Sequence, residues 1–186
     1  MRKLVEAHEG PLAIRLDVGL PESVPPGDQH DLDNYLLPLV AHLERRRGPR
    51  FVSVWATRRH AEFSCAVVEP ANLRSDAVDL TSIVAVRTTA SADSTAYKQQ
   101  IADQVGVAAL LPEGPVALEL GFVVGQRNWF NLWKSIIDAL GGLLGRADAH
   151  RDWHPKDGRI TELGLHCTSD ASLRYDVEIS ITARAL

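Results

Sequence analysis

The chain has 186 residues, of which 45% are hydrophobic and 24% charged, the balance of an ordinary globular protein and not of a disordered one. Its net charge of −4 gives no overall attraction to nucleic acid, so any contact with DNA must come from local basic patches. No apolar run is long enough to cross a bilayer, and residues 1–6 lack the apolar core of a signal peptide. With only two cysteines, Cys65 and Cys167, the sequence predicts a cytoplasmic protein with no membrane contact and with reduced, buried thiols.

Residues 10–69 combine strand and helix patterns around one proline-rich loop. Residues 11–18 alternate apolar and polar side chains, the period of a half-buried strand. Three prolines and a glycine mark residues 20–29 as a loop, and a helical apolar period covers residues 34–43. Residues 51–55 and 62–68 are β-prone, which predicts a hairpin with a basic tip at residues 57–60.

Residues 69–79 carry few large apolar side chains and are the best candidate for a linker. A β-prone run follows at residues 81–88, and serines at residues 91 and 94 supply caps for a helix that reaches residue 105. Further strands are predicted at residues 115–120 and 159–163, on either side of a helix over residues 131–140. The clearest strand is the unbroken alternation over residues 173–181.

The order strand, loop, asparagine-led helix and hairpin therefore occurs twice. The offset between matching positions drifts from 104 to 97 to 109 residues along the chain, as insertions in loops produce. Chance similarity between two amphipathic βαββ units is the alternative to duplication. The paired Pro-x-Ala strand starts and the helices led by Asn34 and Asn131 favour duplication, which predicts that residues 10–69 and 115–182 form equivalent units.

Asp31 and Asp33 stand one residue apart where the first loop meets its helix. Asp is a strong helix N-cap, so a capped amphipathic helix explains the pair without any chemistry. Neighbouring carboxylates at the edge of a loop also suit Mg²⁺, which prefers oxygen ligands. The sequence leaves both interpretations open, and the partial copy of this stretch at residues 128–131 favours the second.

Two other groups of residues have simpler explanations. His and Asp side chains alternate over residues 148–157, a pattern that could bind Zn²⁺ or Mn²⁺. Their spacing matches no closed metal site, and the proline and glycine nearby favour a solvated loop. Trp129, Trp133 and Trp153 could stack on bases, but we expect core or interface positions for them.

Both copies resemble the RusA-type Holliday-junction resolvases. The pattern of that family is a strand, a loop, Asp-x-Asp-Asn at the start of a helix with a lysine on its first turn, an Ala-Leu at its end, and a further acidic site before a strand. Residues 78–184 resemble a whole protomer and residues 10–69 a shorter one. Because family members are small α+β endonucleases that work as homodimers, the resemblance implies an α+β fold. It further implies that residues 1–70 and 78–186 are two βαββ halves of a pseudo-dimer.

Carried over by position, the family's metal ligands are divided between the halves. In the first copy Asp31 and Asp33 match the Asp-x-Asp pair, but Leu37 holds the lysine position and Arg47-Gly48 the later acidic site.

In the second copy Asn128 and Phe130 hold the positions of the Asp-x-Asp pair. Lys134 matches the lysine there, and Asp157 falls at the later acidic site. A full site would form only if Asp31 and Asp33 met Asp157 across the two halves. Because neither half keeps a complete set, we expect little or no cutting.

The resemblance implies a RusA-like nucleic-acid-binding protein related to Mg²⁺-dependent structure-specific endonucleases. It would bind branched DNA as a monomeric pseudo-dimer or as a homodimer. The basic candidates for phosphate contacts are Arg45, Arg46, Arg47, Arg50, Arg58 and Arg59. The acidic balance of the chain favours the alternative, a non-catalytic protein-interaction or structural module on the same scaffold.

Overall fold

The computed structural model describes residues 9–25, 31–44, 51–71, 84–106, 108–148 and 150–186. These residues form seven β-strands: β1 (Leu12–Leu20), β2 (Phe51–His60), β3 (Cys65–Pro70), β4 (Val84–Thr88), β5 (Val116–Val124), β6 (Ile160–Ser169) and β7 (Val177–Ala185). Four α-helices accompany them: α1 (Leu32–Glu44), α2 (Thr95–Val105), α3 (Trp133–Ala139) and α4 (Gly141–Leu144). Short 3-10 turns lie at Trp129–Leu132, Asp157–Arg159 and Ala171–Leu173. The predicted mixed α+β class is therefore confirmed.

All seven strands belong to one mixed sheet, in the order β3-β1-β2-β6-β5-β7-β4. β1 runs parallel to β2 and antiparallel to β3, while β5 runs parallel to β6 and antiparallel to β7. β2 and β6 pair in antiparallel fashion at the centre and join the strands of the two predicted segments. The segments thus share one sheet.

The helices cover one face of this sheet. Alternate strand residues are buried on that face, among them Val54 and Ala56 of β2, which pair with Leu165 and Leu163 of β6. Helix α1 packs on β2 and β6, and α2 packs on β4. The period-2 pattern of the strands therefore builds the core between sheet and helices.

The opposite face of the sheet is polar and rich in paired charges. Trp55 lies at its centre, 39% exposed, and its indole covers Gly164 on the neighbouring strand. A Cβ atom at Gly164 would approach the indole to 2.8 Å, so the absence of a side chain there lets the ring lie flat. The His166 ring packs on the same indole with a centroid separation of 4.8 Å.

The two segments have the same strand order and directions, because β3-β1-β2 corresponds to β7-β5-β6. They also share an irregularity. The register shifts between Leu12 and Ala13 in the first segment and between Val116 and Ala117 in the second. The register thus shifts at matching positions near the start of both parallel strand pairs.

Equivalent backbone hydrogen bonds close both segments. The Ala71 amide donates to the Pro11 carbonyl and the Leu186 amide to the Pro115 carbonyl, each over 2.9 Å. In the central pair Trp55 lies opposite Gly164, and these residues are 109 apart, the same offset that relates Phe51 to Ile160. Each strand start is thus matched to its counterpart at an offset already visible in the sequence.

Three expectations need correction. The predicted β2–β3 hairpin is wrong, because β1 lies between these strands and pairs with both. The last strand begins at Val177, since residues 171–173 form a 3-10 turn that ends in a left-handed residue, Arg174 (φ 52°). Both cysteines are free, as expected, but Cys65 is exposed on the edge strand β3 and only Cys167 is partly covered.

In the described parts of the chain, no helix is long and apolar enough to span a membrane.

Candidate functional site

Carboxylates from both segments converge at the beginning of helix α1. Asp31 and Asp33 lie at the start of α1, Asp138 lies on α3, and Asp157 begins the 3-10 turn before β6. The Lys134 side chain, also on α3, lies among them. We call these five residues the ion cluster.

Lys134 is the centre of the ion cluster. Its Nζ atom lies 3.1 Å from an Asp157 oxygen, 3.3 Å from Asp138, 3.9 Å from Asp33 and 4.0 Å from Asp31. The structure therefore brings together all four residues that the family resemblance divides between the halves: Asp31, Asp33, Lys134 and Asp157. The Lys134 side chain is 46% exposed, so the cluster opens to solvent on one side.

The packing of α1 explains why one carboxylate of the pair is buried. Leu32 and Leu36 are at most 2% exposed and hold the first turn of the helix against the core. Asp33 follows Leu32 directly and is drawn in with it, retaining only 6% exposure. Asp31 precedes the helix, and its carbonyl and carboxylate accept hydrogen bonds from the Asn34 amide and side chain. Asp31 therefore occupies the position directly before the helix, and Asp33 lies within its first turn.

Two buried arginines fix the turn that carries Asp157. Arg159 is 9% exposed and donates to the carbonyls of Gly114, Leu144 and Pro112. Arg58 of β2 is 3% exposed and donates to the Gly158 carbonyl at 2.5 Å. A strand of the first segment thus holds the residue next to Asp157 of the second.

This position of Arg58 differs from the predicted one. The sequence placed it at an exposed hairpin tip, available to phosphates. Its side chain instead lies buried on the face of β2 that the helices cover. Burial of the guanidinium lowers the pKa of Arg58, and the nearby Asp31 carboxylate opposes that shift. Arg58 therefore serves the interior of the site and is not available at the surface.

The electrostatics of the ion cluster favour a cation. Burial raises the pKa of Asp33 and of Asp31, with the Asp157 carboxylate adding to the shift at Asp31. Burial would lower the pKa of Lys134, but Asp33 and Asp157 outweigh it and raise that pKa. Lys134 consequently stays charged and stabilises carboxylates that would otherwise repel one another.

Two residues of these ion pairs, Asp138 and Lys98, were not among the site residues predicted from the sequence. Asp138 lies 3.3 Å from Lys134 and 2.7 Å from Lys98 of α2, so it joins two lysines. The sequence signal for Asp138 was its position four residues after Lys134, a spacing that places two side chains side by side on a helix. Nothing local in the sequence connects Lys98 to Asp138, which lies 40 residues away.

The positions that match the ion cluster in the other segment carry different side chains. The Asn128 side chain accepts from the Phe130 amide at 3.1 Å and caps a 3-10 turn. Phe130 is 8% exposed and packs against Trp129 and Trp133, with centroid separations of 4.7 and 5.1 Å. On α1, Leu37 occupies the lysine position and is 39% exposed.

No protein-family model, curated protein or solved structure matches this chain. Its function must therefore be argued from the geometry of the ion cluster.

The other predicted residues fall into three groups. Arg45, Arg46, Arg47 and Arg50 lie outside the described residues, and Arg59 is exposed at the end of β2. The His and Asp loop is held by local contacts, such as the Asp148 side chain accepting from the His150 amide. Of the tryptophans, Trp129 and Trp133 are buried and Trp153 is partly buried against the core.

The ion cluster has the donor chemistry of a hard-cation site. In the described ranges, no group of three or more His, Cys, Asp or Glu side chains surrounds a common point for a metal. Within the ion cluster, the Lys134 ammonium lies among four carboxylates, each at 4.0 Å or less from its nitrogen. Carboxylate oxygens beside a solvent-exposed side suit Mg²⁺, which keeps several waters when bound. The donor atoms are therefore of the type that binds a divalent cation, while in the described residues the carboxylates are arranged around the Lys134 ammonium.

Proposed function

We propose that this protein is a RusA-like nucleic-acid-binding protein with one Mg²⁺-dependent endonuclease site, shared between two halves of a pseudo-dimer. The observation that carries the proposal is the meeting of Asp31 and Asp33 with Lys134 and Asp157. These residues match the family pattern only in part in each half, and a shared site needs all four together. Their convergence removes the reason to expect little or no cutting.

The pseudo-dimer is supported by the common architecture of the two segments. The same strand order, the same bulge and the same closing hydrogen bonds recur, and β2 and β6 meet in antiparallel fashion with Trp55 opposite Gly164. Such a relation is expected if two copies of one unit paired about a twofold axis and became joined in one chain. One chain then supplies both halves of the site without a partner copy.

In this proposal Asp31, Asp33 and Asp157 hold the Mg²⁺ ion. An ion held there would supply positive charge against a phosphate oxygen, which would lower the cost of the charge that develops during phosphodiester hydrolysis. Asp138 lies 3.3 Å from Lys134 and can retain the ammonium beside the ion. Lys134, whose side chain is 46% exposed, would then provide a second positive charge toward a phosphate that approaches from solvent.

The nucleic-acid partner in this proposal comes from the family resemblance and requires local positive charge. Four carboxylates would repel a phosphate, so a cation is needed before a nucleic acid can enter. Arg45, Arg46, Arg47 and Arg50 flank the end of α1 in sequence, and Arg59 is exposed. They are the candidates for phosphate contacts on branched DNA, whereas Arg58 is withdrawn from this role.

One observation favours a second candidate, a structural or protein-interaction module. Lys134 already neutralises part of the carboxylate charge, and an ion cluster of this kind can simply hold two halves of a protein together. The two candidates differ in what a divalent cation does. A structural cluster gains nothing from Mg²⁺, whereas a metal site binds it and needs it for cleavage.

The deciding experiment measures cleavage of a labelled four-way DNA junction with and without Mg²⁺ or Mn²⁺. We expect the wild type to cut only with the ion. Asp33→Asn and Asp157→Asn should each reduce the rate by about 100-fold or more, because the ion contributes several kcal/mol to the transition state. The matched control is Asp152→Asn in the neighbouring loop, whose side chain is 75% exposed and which should cut like wild type.

Binding of the same junction across a salt series tests the nucleic-acid partner separately. Phosphate contacts give a steep loss of affinity with salt, and the slope should fall by about one for each contact removed in an Arg45, Arg46 and Arg47 alanine variant. A folded wild type that neither cuts nor binds the junction would exclude this function and favour the structural module.

A further inference from the structure

We propose that the pseudo-dimer has kept one of two symmetry-related sites, so that each binding event breaks a single phosphodiester bond and a two-strand substrate is nicked. This inference rests on the proposed endonuclease function. It concerns the product of that function, which neither the sequence pattern nor the cluster itself specifies. It depends on the positions that correspond to the ion cluster on the other side of the local twofold relation.

The strands fix which positions correspond. Trp55 of β2 pairs with Gly164 of β6, and on either side Ser53 pairs with His166 and Thr57 with Glu162. At an offset of 109 residues these outer pairs exchange with each other, as a twofold relation through the central pair requires. The site formed by the start of α1 and the Lys134 side chain therefore has a counterpart, formed by the turn at Asn128 and the α1 position of Leu37.

Among the described residues, the matching positions of that counterpart have neither carboxylates nor an ammonium group. Asn128 has one neutral side-chain oxygen, which already accepts from the Phe130 amide. Phe130 is buried among Trp129 and Trp133 and offers nothing to a cation. Leu37 carries an apolar side chain at the lysine position, and Arg47-Gly48 replaces the later acidic residue. All the losses fall in the counterpart and all the retained groups in the ion cluster.

This pattern explains why the family's residues look divided along the sequence. A site built from both halves takes its Asp-x-Asp pair from one copy and its lysine and later acid from the other. Retaining one such site preserves complementary residues in the two copies, while losing the other removes the remaining residues from both. Random decay of two copies would give no reason for the four retained residues to meet.

One site performs one hydrolysis at a time. A water oxygen forms a bond to phosphorus, and the bond from phosphorus to one sugar oxygen breaks. The electron pair of that bond stays on the sugar oxygen, which takes up a proton, and the water loses one proton to solvent. Cutting the second strand needs a second, reoriented binding event, since the matching positions that the structure describes hold no second set of ligands.

The test uses a supercoiled circular DNA whose inverted repeat extrudes a four-way junction. One cut relaxes the supercoils and the junction is reabsorbed, so a single-site enzyme should yield open circles. We expect linear DNA to stay below one-tenth of the product early in the reaction. Linear DNA formed directly from supercoiled DNA, without accumulation of open circles at low protein concentration, would overturn the single-site proposal.

Counting bound Mn²⁺ by electron paramagnetic resonance tests the same proposal without cleavage. We expect one ion per chain in the wild type, lost in Asp33→Asn and retained in Asn128→Ala. Two ions per chain, or none, would overturn the proposal. One ion per chain in a protein that cuts no DNA would instead keep the single site and reject the endonuclease function.

Discussion

The two helix starts of this protein occupy matching places in the fold and have different chemistry. At the start of α1, Asp31 and Asp33 meet a lysine, while at the matching turn Asn128 caps the backbone and Phe130 joins an aromatic cluster. At the first helix start the buried side chain is a carboxylate, which needs a cation nearby, and at the second it is a phenyl ring that packs among apolar side chains. Two segments with the same strand order can therefore carry ionic chemistry in one place and apolar packing in the other.

Among the substitutions that test this comparison, replacing Arg58 should reduce the free energy of unfolding most. Arg58→Met leaves the Gly158 carbonyl without its donor and removes a buried charge near Asp31, so we expect a loss of about 2–4 kcal/mol in unfolding free energy. The next residue provides the control: Arg59→Met on the exposed side should stay within about 0.5 kcal/mol of wild type. Urea unfolding of the three proteins measures both values, and equal stabilities would refute the role of Arg58 in holding the Asp157 turn.

Replacing Lys134 should have the next largest effect. Lys134→Met removes the cation from four carboxylates, and because the side chain is nearly half exposed we expect a loss of only about 1–2 kcal/mol. Millimolar Mg²⁺ should restore part of the lost thermal stability, since a divalent ion can take the place of the ammonium. Leu37→Met at the matching position should be neutral and indifferent to Mg²⁺. A Lys134→Met protein whose melting temperature ignores Mg²⁺ would contradict the cation site.

Removing the Asn128 cap of the second segment should reduce the free energy of unfolding less than replacing Lys134, and should leave cleavage and metal binding unchanged. Asn128→Ala loses the hydrogen bond to the Phe130 amide, which we expect to cost about 1 kcal/mol in unfolding free energy. Cleavage and Mn²⁺ binding should match those of wild type, because Asn128 lies in the lost counterpart. Impaired cleavage in a folded Asn128→Ala protein would show that the second copy still contributes to the site.

The smallest effect on stability is expected for Asp33→Asn. Unlike the three substitutions above, it should raise the stability and not lower it. Burial raises the pKa of Asp33, so the folded protein prefers the neutral form and ionised Asp33 lowers stability near pH 7. A neutral isostere should therefore raise the melting temperature slightly in the absence of divalent ions. A lower melting temperature would mean that the attraction of Lys134 for Asp33 outweighs burial and repulsion.

Much of the fold was readable from local patterns. The strand starts near residues 11, 51, 115 and 160, the helices after residues 31 and 94, and the repeated order of elements were all predicted, because period and punctuation are properties of neighbouring residues. The mispredicted hairpin shows the limit of such patterns. Two β-prone runs in sequence suggest pairing with each other, but here β1 inserts between β2 and β3 and satisfies both.

The sequence by itself determined which chemical groups exist and how they are divided: two carboxylates at one helix start, a lysine and a later acid in the other copy. Only the tertiary structure decided that they meet, because β2 and β6 pair across the two segments and bring residues about a hundred positions apart within 4.0 Å of one nitrogen. It also decided that Arg58 is a buried support and that Asp138 belongs to the network. Distances between segments depend on strand pairing and burial over the whole sheet, which no local stretch of sequence contains.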